Sequence, residues 1–272
     1  MGISGDLHLL RGKVGYFTKR GGTIGYYHSP EAIAIVDTQF LDTAPLLLTA
    51  LRELGEAPID LLVNTHHHAD HTGGNMVFKD IAKTHVAHFN ACKNLERVAT
   101  ERNELDKQLI PTTTYQEDWS HRLSNQDIVT LYYFGAGHTN GDSLVHFETD
   151  NVVHTGDLVF NRRFPYIDKS SGASIESWIE VLQKARRTFD RDTRYIFGHA
   201  AEGYPVTGTH EDLKAMEHYL HCLLKFMKRA RRQGRTLDDL KATVTTIPGA
   251  PEWQGPGIER SLDAAWAELE TQ

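Results

Sequence analysis

Asn64-Thr65-His66-His67-His68-Ala69-Asp70-His71-Thr72-Gly73-Gly74-Asn75 is the stretch on which the reading of this chain turns. Four histidines and an aspartate fall within six positions, directly after the apolar run Ile59-Asp60-Leu61-Leu62-Val63. In extended backbone, side chains two apart project to the same side, so His66 and His68 can converge on one cation. Asp70 and His71 stand at a turn leading into a helix and can reach a second. Imidazole nitrogen and carboxylate oxygen suit zinc and need no cysteine. Gly73-Gly74 permits a tight turn close to the cluster. A histidine tag would sit at a chain end and lack the interleaved aspartate. The pattern therefore predicts a metal site.

One such motif cannot complete two coordination spheres, so further ligands must come from elsewhere. His138 lies in Gly135-Ala136-Gly137-His138-Thr139-Asn140-Gly141-Asp142, right after an apolar run that ends at Phe134. Asp157 follows Val152-Val153 in His154-Thr155-Gly156-Asp157, and His199 follows Tyr195-Ile196 in Phe197-Gly198-His199. Each is a ligand type at the end of a predicted strand, with glycine beside it. His67, between two ligands, is predicted to point away. His85, His88, His121, His146 and His154 read as packed or exposed residues.

The rest of the chain frames this cluster. Residues 14–17, 24–27, 32–36, 59–63, 128–134, 143–147, 151–154 and 195–197 read as strands. Residues 46–54 read as a helix stopped by Gly55, and residues 90–108 and 175–189 as two more. After Gly208, Leu213, Met216, Leu220, Leu223, Leu224 and Met227 recur every three or four positions, and residues 262–269 give a last helix. Residues 247–251 are the clearest linker. Strands, then mixed elements, then strands suit two packed sheets with helices outside, an α/β (α+β) class. We read residues 1–207 as one catalytic domain and 208–272 as a helical C-terminal extension packed on it.

Composition narrows the function. The 272 residues are 40% hydrophobic and 24% charged, enough for a real core. No apolar run is long enough to span a membrane. With 29 basic and 36 acidic residues the net charge is −7, which argues against nucleic acid as the partner. The basic run from Lys225 to Arg235 reads as a solvated helix face. Cys92 and Cys222 show no paired spacing and read as free thiols. The opening MGISGDLHLL lacks a leader pattern, which predicts the cytoplasm, or the periplasm or exterior had a leader been removed.

HxHxDH followed by His, Asp and His, all at strand ends, resembles the metallo-β-lactamase superfamily over roughly residues 7 to 200. The resemblance implies a four-layer αββα sandwich and a dinuclear site with two Zn²⁺ per chain, iron or manganese being the other metals such sites take. It implies that His66, His68 and His138 bind the first metal, that Asp70, His71 and His199 bind the second, and that Asp157 bridges. Asp37 matches the family's early aspartate, which braces the metal loop. A metal-bound hydroxide would attack a small-molecule substrate, and Asp70 would be the catalytic residue that orients it and shuttles a proton.

Departures guide the choice within the family. A β-lactamase proper of the cysteine-ligand type would carry cysteine at the position of Asp157 and a lysine three positions on, where this chain has Phe160. The aspartate bridge instead resembles glyoxalase II, lactonases and other ester or thioester hydrolases. The stretch HTGDLVFNRRFPYID resembles a branch associated with quinoproteins and sulfur oxidation. The expected reaction is therefore hydrolysis of an ester, thioester, lactone or lactam. An iron persulfide dioxygenase-like oxygenase, a β-lactamase and an idle metal-bound scaffold are the alternatives. For substrate contacts, Arg162 or Arg163 would bind a carboxylate or phosphate. Residues 13–25, with Tyr16, read as either a flap over the cleft or an ordinary hairpin. The oligomeric state is not legible.

Overall fold

Strands that are apolar at consecutive rather than alternate positions must be covered on both faces, and the central strands of this chain are of that kind. The computed structural model describes residues 6–270. A seven-stranded sheet is built in sequence order from β1 (Leu7–Arg11), β2 (Val14–Phe17), β3 (Ile24–His28), β4 (Ile33–Val36), β5 (Ile59–Asn64), β6 (Ala82–His88) and β7 (Thr113–Tyr115). The first four strands form an antiparallel meander, and β4 to β7 are parallel. The remaining strands are β8 (Asp118–Arg122), β9 (Ile128–Tyr132), β10 (Leu144–Phe147), β11 (Val152–His154), β12 (Phe160–Asn161), β13 (Arg194–Ile196), β14 (His199–Ala200) and β15 (Thr207–Gly208). Six of them make a second sheet in the order β15-β13-β11-β10-β9-β8, while β12 and β14 pair separately.

Helices α1 (Ala44–Leu54), α2 (Ala69–Thr72), α3 (Phe89–Glu101), α4 (Ile175–Thr188), α5 (His210–Arg232), α6 (Leu237–Thr243) and α7 (Ile258–Glu270) complete the described chain. Three buried clusters define the layers. Between the sheets lie Ala34, Val36, Leu61 and Val63 from one side and Val129, Leu131, Val145 and Ile196 from the other. The alternate residues Ile33, Ile35, Ile59 and Leu62 face outward and are covered by Leu47, Ala50 and Leu51 of α1. On the far side, Leu144, Val153 and Tyr195 are covered by Trp178 and Leu182 of α4 and by Met216, Leu220 and Leu223 of α5. Helix, sheet, sheet and helix stack as the αββα sandwich expected from the sequence.

Several local readings are corrected by the structure. The helix expected over residues 90–108 ends at Glu101, because Asn103 turns the chain with a left-handed φ of 55°. β1, β6, β7 and β8, with the two-residue β12, β14 and β15, escaped the sequence reading; β8 (Asp-Trp-Ser-His-Arg) alternates exposed and half-buried residues at a sheet edge, so no apolar run marks it. The helices after residue 208 share one core with the second sheet. α7 also clamps the loop before α4: Ser261 donates to the Pro165 carbonyl at 2.9 Å, and Glu268 accepts from Lys169 at 2.6 Å and Ser174 at 3.1 Å.

Candidate metal centre

Parallel strands deliver their C-terminal ends to one edge of a sheet, and ligands of the site leave from such ends. In the first sheet Val36 is level with Val63, so Asp37 emerges beside the Asn64–Thr65 turn that begins the histidine loop. In the second sheet β11 and β13 are parallel with His154 opposite Ile196. Asp157 and His199 each follow three positions later, so register alone brings them out together. β12 and β14 then pair Phe160 with His199. Only glycine lets the two segments pass this closely: a Cβ on Gly198 would lie 2.0 Å from Asp157 Oδ1.

The chain brings the expected ligand positions into two adjoining groups. One ligand atom from each of His66, His68, His138 and Asp157 lies within 4.8 Å of every other, and the same holds for Asp70, His71 and His199. His68 Nδ1 is 3.1 Å from His66 Nε2 and 2.8 Å from His138 Nε2. Asp157 faces both groups. Its Oδ2 lies 3.9 Å from His66, 3.5 Å from His138 and 3.4 Å from His199, while its Oδ1 lies 3.1 Å from His71 Nε2. Asp70 Oδ2 is 3.1 Å from His199 Nε2 and 3.8 Å from His71 Nε2.

The tautomers in the first group test whether these residues fit a cation. His138 Nδ1 donates to the Tyr166 carbonyl at 2.6 Å, which leaves its Nε2 bare. His68 Nε2 donates to Asp168 Oδ2 at 2.9 Å, which leaves its Nδ1 bare. In the neutral rings two lone pairs therefore meet at 2.8 Å, a repulsive contact unless a cation lies between them. Ligands of a tetrahedral zinc are roughly 3.3 Å apart for bonds of about 2.0–2.1 Å, close to the spacings found. His71 Nε2 and Asp157 Oδ1 are buried and, although 3.1 Å apart, are not aligned for a hydrogen bond with each other or with any other described group. The donor set fits a pair of divalent metal ions.

Electrostatics point the same way. Burial, reinforced by the neighbouring His68, pushes His138 down to about 3. Burial and the charge of His71 hold His66 well below its ordinary value, so both rings keep lone pairs free. In the second group burial works against charge on His71 and His199, but the carboxylates prevail. Asp157, Asp37 and Asp70 raise His71 well above its ordinary value, and Asp157 with Asp70 raises His199 to about 9. Burial likewise opposes ionisation of Asp157, yet His199 and His71 hold it well below the usual carboxylate range. The pocket calls for positive charge.

A further ring of contacts orients the ligands. Asp37, held at a left-handed φ of 67°, accepts from Thr65 N and Thr65 Oγ1 at 2.8 Å each and from His71 Nδ1 at 2.7 Å. Asp168 receives His68 and is itself fixed by Ser171 N at 3.2 Å and by the Ser170 hydroxyl. His67 points away from both groups, its Nε2 meeting Ser171 Oγ at 3.1 Å. The sequence reading missed Asp168, although it lies only eleven positions after Asp157, just beyond β12. Asp168→Asn is expected to weaken metal affinity by about 10–100-fold with little loss of stability. Chelator competition on the purified variant measures this, and an unchanged affinity would remove Asp168 from the support of the site.

A cavity of about 230 Å³ opens over the two groups, lined by Asp70, Phe160, Phe164, Tyr166, Arg163 and Arg260 among others. Arg163 therefore stands where the sequence reading placed a substrate contact. Arg162 does not: its guanidinium bonds Asn161 Oδ1 at 3.1 Å, pairs with Asp212 at 3.6 Å and covers the Trp253 ring. Tyr16 is also elsewhere, stacked on His8 with ring centroids 4.9 Å apart. The hairpin of residues 13–25 is pinned, since Gly22 N donates to Asp70 O at 3.1 Å and Thr23 N to Gly198 O at 2.9 Å. A Cβ on Gly22 would fall 2.2 Å from the His71 ring. Arg260, on α7, had no local signal; it is separated from every motif and reaches the cleft only through the packing of the C-terminal helices.

A cation site of histidines and carboxylates at strand ends of an αββα sandwich defines a class of metal-dependent hydrolases. The profile of that class, the metallo-beta-lactamase superfamily, matches residues 17–199. The chain belongs to this superfamily. It is 27% identical over 202 residues to a hydroxyacylglutathione hydrolase of Synechococcus sp. (strain JA-2-3B'a(2-13)), covering 72% of this chain and 73% of that protein. It is 23% identical over 157 residues to metallo-beta-lactamase IND-1 of Chryseobacterium indologenes, covering 56% and 60%. A metallo-beta-lactamase from Pontibacter korlensis shares the fold with a TM-score of 0.62 at 19% identity, over 79% of this chain and 98% of that one. No helix among the described residues is long and apolar enough to cross a membrane.

Proposed function

We propose that the protein is a dinuclear zinc hydrolase that opens an ester, thioester, lactone or lactam bond in a small molecule carrying an anionic group. The observation that carries this reading is the pair of bare imidazole nitrogens, His68 Nδ1 and His138 Nε2, facing each other at 2.8 Å beside a carboxylate shared with the second group. His66, His68 and His138 would hold one ion, Asp70, His71 and His199 the other, and Asp157 both. Bound there, the ions polarise the scissile carbonyl and lower the pKa of water to about 7. Asp70, partly exposed at the cavity floor, accepts the proton of the attacking water and returns it to the leaving group. Phe160 and Phe164 exclude bulk water from one wall. Residues 1–207 form the catalytic domain and 208–272 an extension, which delivers Arg260.

Arg163 and Arg260 flank the same cavity, and Arg260 lies 5.2 Å from the Tyr166 ring. A carboxylate or phosphate between them is the recognised end of the substrate. Arg260→Gln is expected to raise KM for an anionic substrate by about tenfold or more, with kcat nearly unchanged. A neutral analogue hydrolysed by both forms would show no change. Equal losses on both substrates would remove the anion from the reading.

Metal quantification on the purified chain tests the whole proposal, followed by thioester, lactone, β-lactam and phosphodiester substrates. Two zinc ions per chain, activity lost to a chelator and restored by zinc, and turnover of an acyl substrate are expected. One iron per chain with oxygen consumption would replace the reading with an oxygenase.

A further inference from the structure

Of the cations noted between Lys225 and Arg235, Lys225 and Arg229 lie on the last turns of α5 and Arg235 just beyond its end, and these three border a cavity of about 560 Å³ that shares no lining residue with the cleft over the metal centre. Its size is within the roughly 300–1,000 Å³ of small-molecule sites. Phe226, Ala230 and Pro248 give it apolar walls, Lys225, Arg229 and Arg235 stand around them, and among the described residues no carboxylate lines it. In a chain of net charge −7 this is a local reversal of sign. Among the described residues neither Lys225 nor Arg229 has an ion-pair partner. Arg235 is already held in place, bonded to Thr243 Oγ1 at 2.6 Å. A merely solvated helix face needs no apolar hollow, and a core contact would not surround itself with cations.

We propose that this cavity binds an organic anion with an apolar body, its carboxylate or phosphate held by Arg229 and Lys225 and its body against Phe226 and Pro248. The far wall is the Pro248–Gly249 turn, which is tied to α5 by His218, whose Nε2 lies 2.9 Å from the Gly249 carbonyl. Cys222 also lines the cavity, 3.4 Å from His218 Nε2, so its thiol reports on occupancy. Cys92 is buried and does not compete for labelling reagents.

Decanoate is the probe, applied to the full chain with displacement of anilinonaphthalene sulfonate as the signal and maleimide labelling of Cys222 as the second readout. Saturable decanoate binding is expected, matched by neither decanol nor inorganic phosphate, together with slower labelling of Cys222. Arg229→Glu should weaken decanoate by about tenfold or more at an unchanged melting temperature. Arg229→Gln and Lys225→Gln, also at exposed positions, give the same test should the charge reversal not fold. Binding that survives these variants, that is lost in Arg260→Gln instead, or that leaves Cys222 labelling unchanged at saturation would overturn the proposal.

Discussion

Replacing Asp70 with asparagine is expected to lower kcat by about 10²–10⁴-fold on any substrate the protein turns over. Asparagine keeps the size of the side chain but has no carboxylate to take up a proton. The chain has no obvious substitute. His199 Nε2, the nearest basic atom, is 3.1 Å from Asp70 Oδ2 and is itself aimed at the candidate ions, as is His71. Burial opposes ionisation of Asp70, but His71 and the bond from His199 hold its carboxyl well below the usual range, so it enters the reaction ionised. The side chain is 32% exposed and, among the described residues, pairs only with His71 and His199 of the site, so the melting temperature should barely move. Because Asp70 is also a candidate ligand, kcat is to be measured at saturating zinc with the metal content of the variant in hand. Full occupancy with wild-type turnover would show that another group handles the proton. A comparable loss of folding would show that the loop is a structural element first.

How much of this was legible in the sequence depended on whether the information was local. His66, His68, Asp70 and His71 lie within one turn of chain, and strand periodicity places two of them on one side. His138, Asp157 and His199 could be read because each closes an apolar strand. What brings Asp157 and His199 together in space is the parallel register of β11 with β13, which no local pattern encodes. Two packed sheets with helices outside were legible in the order of the elements, and the four-layer αββα arrangement came from the family resemblance; the structure adds the physical reason, since the consecutive apolar positions of β4 and β5 need both faces covered. Arg260 was not legible, because it reaches the cleft through the way α7 docks on the loop of residues 165–174. Arg162 and Arg163 were indistinguishable in sequence. The structure separates them: a left-handed φ of 58° at Arg162 turns it toward Asp212 and leaves Arg163 in the cleft. β8 escaped because a half-exposed edge strand has no apolar run.

The second large effect is expected at a residue that touches no metal. Asp37 is wholly buried, and its two oxygens terminate three bonds, from Thr65 N, Thr65 Oγ1 and His71 Nδ1. Asp37→Ala strands all three donors where water has no access. At about 1–3 kcal/mol for each unsatisfied buried group, partly relieved by relaxation, a loss of roughly 3–5 kcal/mol follows. The left-handed φ of 67° adds to it, since alanine tolerates that conformation less well than aspartate. The same bond fixes His71 Nδ1 as the protonated nitrogen and so presents Nε2 to the site. Without it the ring is free to bond through either atom, and metal affinity should fall by about 10–100-fold. Asp37→Asn separates the two effects. It keeps the shape and tolerates the backbone, and one oxygen can still accept from the Thr65 turn, but its amide turns a donor toward His71. The asparagine variant should therefore lose much less stability than the alanine variant while losing a similar share of metal affinity. Chemical denaturation of the apo forms and chelator competition on the loaded forms read the two quantities apart. If both variants unfold and bind zinc as the wild type does, the strand-end geometry of β5 alone holds the histidine loop in place, and the brace through Asp37 contributes nothing.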